Sequence, residues 1–343
     1  MSRIEGIATV LPKTRFDLST LSDTFENLPR VMKSTGIREI RIADPARTAS
    51  DYCFDAAEYL IDQLGIDRHE IDGLIFVTHS PDYLDPNTSA ILQHRLNLSN
   101  KTIAMDLNFG CTGFVNGIFQ AHVLIESGFC HRVLLLAGDT LTRKVGARDR
   151  SSRIIFGDAA SATLISKSED RMEFATYIDG SRFDRIMIPA GGSRIPHKPG
   201  VTDIPHDDGH GNFRSLEDHF MDGAAIFDFA LDEIPPVIDE VLEKSNWKTE
   251  DVDLFGFHQA NRSILKNLAV VMKIPLEKVP ITLESTGNTL SASIPLMLGS
   301  IFKDRRQIQL DKVVLCGFGS GLACSAVAAN LSQTKIFPTI ESR

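Results

Sequence analysis

Apolar residues recur along this chain in two alternating rhythms. Near-continuous apolar runs at Gly73 to Thr78, Thr102 to Leu107 and Arg132 to Ala137 predict strands covered on both faces, because such a strand has no solvent side for polar residues. Between them, Ala56, Ala57, Leu60, Ile61 and Leu64 recur at helical spacing within Thr48 to Leu64, and Gly65 stops that helix. Val115, Ile118, Phe119, Val123 and Leu124 do the same within Cys111 to Glu126, and Ser89 to Leu96 adds a shorter helix. Arg3 to Val10 reads as an opening strand, followed by polar, helix-prone text to Lys33. Strand, helix, strand, helix is the order of an α/β chain. Between Ser166 and Asp222 it lapses into text rich in Gly, Pro and Asp, including Pro189 to Arg194 and Asp207 to Asn212, which predicts loops lying over one face.

After Gly223 the alternation returns and repeats the first half. Ile71 to His79 has its echo in Val252 to His258, with the two histidines 179 positions apart, and Arg132 to Gly138 recurs 180 positions on as Lys312 to Phe318. Two pairs at nearly one offset predict two βαβ-type halves packed on each other, with a site between them where strand ends and helix starts of both copies converge. The domain reading is a first half over 1–165, a loop-rich cover over 166–222 and a second half over 223–343.

Composition narrows the function classes. A chain of 343 residues that is 43% hydrophobic can bury the large core two such halves need. Its formal charge of -9 argues against a general nucleic-acid binder, whose footprint is basic. Cys53, Cys111, Cys130, Cys316 and Cys324 stand far apart with no CxxC pair, so neither a disulfide framework nor a zinc site is indicated and a reducing cytoplasm is the expected setting. Met1 to Phe16 mixes Arg3, Glu5, Lys13 and Arg15 into its apolar positions, and no apolar run approaches about 18 residues, so a soluble protein without signal peptide or membrane span is expected. His206, Asp207, Asp208 and His210 match no metal-ligand spacing and read as a solvated loop.

The candidate chemistry begins at Asn108 to Phe114, between a predicted strand and a predicted helix. Cys111 is expected to open that helix, where free first-turn N–H groups and the macrodipole favour a thiolate, and Gly110 and Gly113 leave room for a substrate to reach the sulfur. His258 follows a predicted strand of the second half, at the place of His79 in the first, and Asn288 precedes the predicted helix Ser291 to Phe302. Taken singly, these residues also read as a small buried cysteine, a satisfied core histidine and a helix-capping asparagine. The duplication is what brings them to one cleft.

Seven stretches in order then carry a resemblance: Thr35-Gly36-Ile37-Arg38, Cys111-Thr112-Gly113-Phe114, Phe156 to Ala162, Asp222-Gly223, His258-Gln259-Ala260-Asn261, Gly287-Asn288-Thr289 with Ser293-Ile294-Pro295, and Gly317 to Gly321. Over nearly its whole length the chain resembles the β-ketoacyl-ACP synthase III enzymes of the thiolase superfamily. The resemblance implies a thiolase-like α/β fold, duplicated βαβαβ halves in five αβαβα layers. It implies a catalytic triad at Cys111, His258 and Asn288, with an oxyanion hole from the N–H groups of Cys111 and Ser320. The reaction implied is a decarboxylative Claisen condensation of an acyl thioester with malonyl-ACP through acyl-Cys111, as in fatty acid biosynthesis, without metal or organic cofactor. The partners implied are acyl carrier protein and a second copy of the chain, into whose acyl pocket the loop Asp82 to Thr88 reaches. Arg150, Phe156 and Thr88 fall on substrate-binding positions. Arg262 and Lys266, with Arg148, Arg150 and Arg153, are candidates for docking an acidic carrier.

Arg30 and Ser34 stand where the family carries a tryptophan and an arginine that grip coenzyme A, so the starter is expected on a carrier protein, or on CoA held without adenine stacking. Gly317 to Gly321 does not read as a dinucleotide loop, because the text after it predicts a strand and a phosphate loop must open a helix. Two other classes share these residues: an acyltransferase passing its acyl group to an alcohol or amine without decarboxylation, and a non-catalytic partner subunit. Asn288 argues against the first, and the survival of Cys111, His258 and Asn288 together argues against the second.

Overall fold

The structure, a computed structural model, describes residues 1–304 and 310–342. Its frame is two sheets with helices between them and on both outer faces. The first half runs β1 (Ser2–Leu11), α1 (Leu28–Thr35), α2 (Ala49–Leu64), β2 (Gly73–Val77), α3 (Thr88–Arg95), β3 (Ile103–Leu107), α4 (Gly113–Glu126), β4 (Arg132–Asp139) and β5 (Ala159–Lys167). The second runs β6 (Glu173–Ile178), α5 (Gly223–Ser245), β7 (Leu254–Phe257), α6 (Arg262–Val271), α7 (Ser293–Asp304), β8 (Val313–Gly319) and β9 (Ala323–Ala329).

In space the first sheet is ordered β3-β2-β4-β5-β1, and two short C-terminal strands, Lys335–Ile336 and Ile340–Glu341, run along β1. Strands β3, β2 and β4 are mutually parallel, while β5 is antiparallel to both its neighbours. The second sheet is ordered β7-β8-β9-β6, with β7 and β8 parallel and the other pairs antiparallel. It therefore repeats β2-β4-β5-β1 in both order and direction, and the duplication read from the sequence is present in the topology.

One boundary moves. The stretch 166–222 was expected to be loops, yet it contains β6, the counterpart of β1 and the edge strand of the second sheet. The second copy thus opens at Glu173, and the loops after Ile178 are an excursion inside it.

The elements form where local chemistry allows. In α2, the Thr48 N–H donates to the Asp51 carboxylate at 2.9 Å in a capping box, and Gly65 ends the helix at φ +65°, a conformation that costs glycine little. Strands β2, β4 and β5 are buried along nearly their whole length because helices cover them on both sides. Three apolar layers result. Side chains of α2 and α3 pack on the outer face of the first sheet, α4 and α7 fill the space between the sheets, and α5 and α6 cover the second. Burying Phe114, at the start of α4, stabilises this middle layer by roughly 2 to 3 kcal/mol. No helix among the described residues is long and apolar enough to cross a membrane.

Candidate active site

The first turn of α4 approaches the loop beyond β8, so both halves contribute to one cavity. Cys111 sits two residues before α4, whose first residue is Gly113. The sulfur is therefore beside the helix start, two positions short of opening the helix as expected. Gly319, the last residue of β8, lies directly over it. A Cβ on Gly319 would fall 2.9 Å from the Cys111 Cβ and 3.1 Å from its Sγ, so only glycine leaves the sulfur free. Ser320 follows and lines the cavity, and among the described residues neither the Cys111 nor the Ser320 amide is taken by another residue's acceptor. Both N–H groups remain available to an oxyanion.

His258 follows β7, its backbone N–H held by the Cys316 carbonyl at 2.8 Å. Its ring stands edge-on to Phe318, 5.3 Å between centroids, and its Nδ1 lies 2.6 Å from the Ser293 hydroxyl at the head of α7. Nε2 is the ring nitrogen left for the cavity. The neighbouring residues hold this loop in place. The Gln259 side chain donates to the carbonyls of Phe257 and Pro280 and accepts from the Thr282 N–H, while Asn261 caps α6 by accepting from Ile264.

Asn288 is stitched to the facing segment by two backbone bonds: its N–H donates to the Ile155 carbonyl at 2.8 Å, and its carbonyl accepts from Gly157 at 3.0 Å. A side chain on Gly157 would collide with the Thr286 carbonyl, so this approach requires glycine. Because the Leu290 N–H donates to Asn288 Oδ1 at 2.9 Å, the amide Nδ2 is the group left to act as donor.

Cys111, His258, Asn288, Phe156 and Ser320 all line one cavity of about 150 Å³. Electrostatics there departs from expectation. Burial, and then the charge of the neighbouring Asp139 carboxylate, push the Cys111 thiol up to about 12. Burial pushes His258 down to about 3, opposed by its contact with the Leu290 backbone. The resting pair is thus a thiol beside a neutral imidazole, in place of the standing thiolate expected at a helix start.

The remaining candidates divide. Arg262 lines an open groove that adjoins the cavity at the head of α6, together with Lys33 and Arg38, and Lys266 is exposed one turn further on. Arg150 turns away, its guanidinium donating to the His210 carbonyl on the hairpin that pairs His206–Asp207 with Phe213–Arg214. Thr88 is buried at the start of α3, where its N–H donates to Asp106 at 2.7 Å and its hydroxyl accepts from Asp82, and it does not line the cavity of its own chain.

Other site residues were missed. Asp139, at the end of β4, is buried and accepts from the Ser291 hydroxyl at 2.6 Å and the His79 N–H at 2.7 Å, tying the two halves together behind Cys111. Ser293 stands out in the sequence only as part of the Ser293-Ile294-Pro295 stretch, and His219, which also lines the cavity, lies in loop-like text.

Residues 105–180 match the family model for 3-oxoacyl-[acyl-carrier-protein (ACP)] synthase III, and 242–331 match that of its C-terminal part. A β-ketoacyl-[acyl-carrier-protein] synthase III of Fusobacterium nucleatum is 33% identical, covering 93% of this chain and 95% of that protein. The chain belongs to the 3-oxoacyl-ACP synthase III family. Another synthase III, from Caldanaerobacter subterraneus, is 31% identical over 96% of this chain and 98% of its own. The crystal structure of a 3-oxoacyl-(acyl-carrier protein) synthase from Burkholderia xenovorans superposes with a TM-score of 0.91 at 33% identity, covering 99% of this chain and 97% of that one. The fold is that of the family's thiolase-like α/β enzymes, and the protein is an acyltransferase of the ketoacyl synthase III type.

Proposed function

We propose that Cys111, His258 and Asn288 carry a two-stage decarboxylative condensation of an acyl thioester with malonyl-ACP. The observation that carries this is their convergence on one cavity with two unused backbone donors. In the first stage Cys111 Sγ attacks the thioester carbonyl and passes its proton to His258 Nε2. The N–H groups of Cys111 and Ser320 hold the oxyanion. The carrier then leaves as a thiol, taking the proton from His258. In the second stage malonyl-ACP loses CO2, and the enolate oxygen is held by Asn288 Nδ2–H and by His258 once its ring proton has moved from Nδ1, where it sits while Nε2 takes the thiol proton, to Nε2, the Ser293 hydroxyl turning from accepting at Nδ1–H to donating to Nδ1. The carbanion attacks the acyl carbon, the acyl–sulfur bond breaks, and Cys111 leaves as a thiolate that regains its proton from solvent. No step calls for a metal or an organic cofactor.

The Asn288 donor favours condensation over simple acyl transfer, which needs no second oxyanion site. Arg262 and Lys266 form no ion pair among the described residues, so both remain open to an acidic carrier at the groove beside the cavity. We take the active unit to be a homodimer. Intact-protein mass spectrometry after addition of an acyl thioester and then malonyl-ACP tests the reaction. Expected are a Cys111-bound acyl group, its discharge on malonyl-ACP addition and a 3-oxoacyl-ACP product, with decarboxylation about 100-fold slower in Asn288→Ala. Acylation without discharge would identify a plain acyltransferase, and no acylation a non-catalytic subunit.

A further inference from the structure

One polar side chain in the cavity has no part in the condensation. His219 lines the same space as Cys111 and is only 5% exposed. Its ring stands edge-on to Phe156 at 4.8 Å between centroids, and its backbone N–H is fixed by the Lys144 carbonyl. Neither ring nitrogen has a hydrogen-bond partner among the described residues, and Nδ1 is fully enclosed. The wall nearby is apolar, with Leu141, Val145, Leu290 and Met221 packing against Phe156. A buried polar group left unpaired destabilises the fold, and native proteins rarely keep one.

Burial, and then the nearby His79, hold His219 down to about 4, so near neutral pH its ring is an uncharged donor and acceptor. None of the described residues lining the cavity is Lys or Arg, while the buried Asp149 carboxylate acts on His219 from behind the wall. An anionic acyl group has no counter-ion there, whereas a neutral oxygen has a waiting partner.

We propose that His219 selects the starter: it hydrogen-bonds an oxygen on the acyl chain, so the preferred acyl groups are hydroxy- or oxo-substituted and uncharged, in place of plain alkyl. The inference rests on acylation of Cys111 as described above.

Pantetheine thioesters of butanoyl, oxobutanoyl, succinyl and each positional isomer of hydroxybutanoyl, presented to the full chain, test this by the rate of Cys111 acylation measured as intact mass. At least one hydroxy or oxo substrate is expected to exceed butanoyl about tenfold or more in kcat/KM, the loss expected when a buried donor or acceptor goes unpaired. His219→Leu should abolish that preference while still being acylated by butanoyl, and His219→Asn, which keeps a donor and an acceptor, should retain part of it. If the Leu variant does not fold, the Asn variant and the native panel decide alone. Butanoyl preferred by the native protein, succinyl preferred over every neutral oxygenated chain, or unchanged selectivity in the variants would overturn the proposal. Failure of every thioester to acylate Cys111 would instead remove the condensation reading on which it stands.

Discussion

At the scale of the residue, reactivity turns on where one proton sits. Burial and Asp139 hold Cys111 as a thiol up to about 12, and His258, held down to about 3, stays neutral and able to receive the proton. The sign follows. Below a thiol pKa of about 12, the thiolate fraction rises about tenfold per pH unit, so alkylation of Cys111 by iodoacetamide should climb steadily through pH 9 with no plateau near neutrality. No inflection from His258 should appear between about pH 5 and 8, the range in which an unperturbed histidine titrates. Asp139→Asn removes the second cause of the shift and should speed alkylation at fixed pH. Peptide mapping of the alkylated protein checks the site. A plateau near pH 7 would mean that the start of α4 outweighs burial and that the thiolate expected from the sequence is correct after all.

At the scale of the element, the site depends on how closely β8 and its following turn approach the residue before α4. Gly319→Ala would place a methyl 3.1 Å from Cys111 Sγ and crowd the oxyanion position between the Cys111 and Ser320 amides. We expect acyl transfer to fall about 100-fold or more, the scale of losing a preorganised donor, with the circular dichroism spectrum of the native fold retained. Much of this arrangement was legible beforehand. The strands β2, β4 and β8 announce themselves as apolar runs, and α2 by its spacing and terminal Gly65, because both patterns record local burial. Cys111, His258 and Asn288 were legible because their chemistry fixes residue type and the repeat fixes their relative place. What stayed hidden depends on distant partners. Strand β6 is half-exposed text that follows the charged, polar run Ser166 to Arg171, and becomes a strand by pairing with β9. Ser293 reaches His258 across 35 positions and Ser291 reaches Asp139 across 152, and no local pattern encodes such pairings. His219 was missed for the same reason, since a histidine in loop-like text looks solvated until the wall around it is known.

At the scale of the whole molecule, one side of the protein is left unfinished. Strand β3 ends the first sheet, pairs among the described residues only with β2 and is partly exposed along its length. Beside it, α4 shows Phe119 and Val123 to solvent, and the loop after β2 carries Leu84 at 100% exposure. An open strand edge flanked by apolar side chains is a pairing surface, and a second copy of this chain can meet it isologously, β3 against β3 and α4 against α4. The same contact would deliver the loop around Leu84 to the neighbouring subunit, and would then account for Thr88 lying away from the cavity of its own chain. Light scattering at micromolar concentration is therefore expected to give twice the chain mass. Phe119→Asp combined with Val123→Asp, both on the exposed face of α4, should give the single-chain mass and reduce acylation of Cys111 several-fold, because each acyl pocket loses a wall. A native protein that scatters as a monomer would refute the dimer. A double variant that remains dimeric would move the interface away from α4.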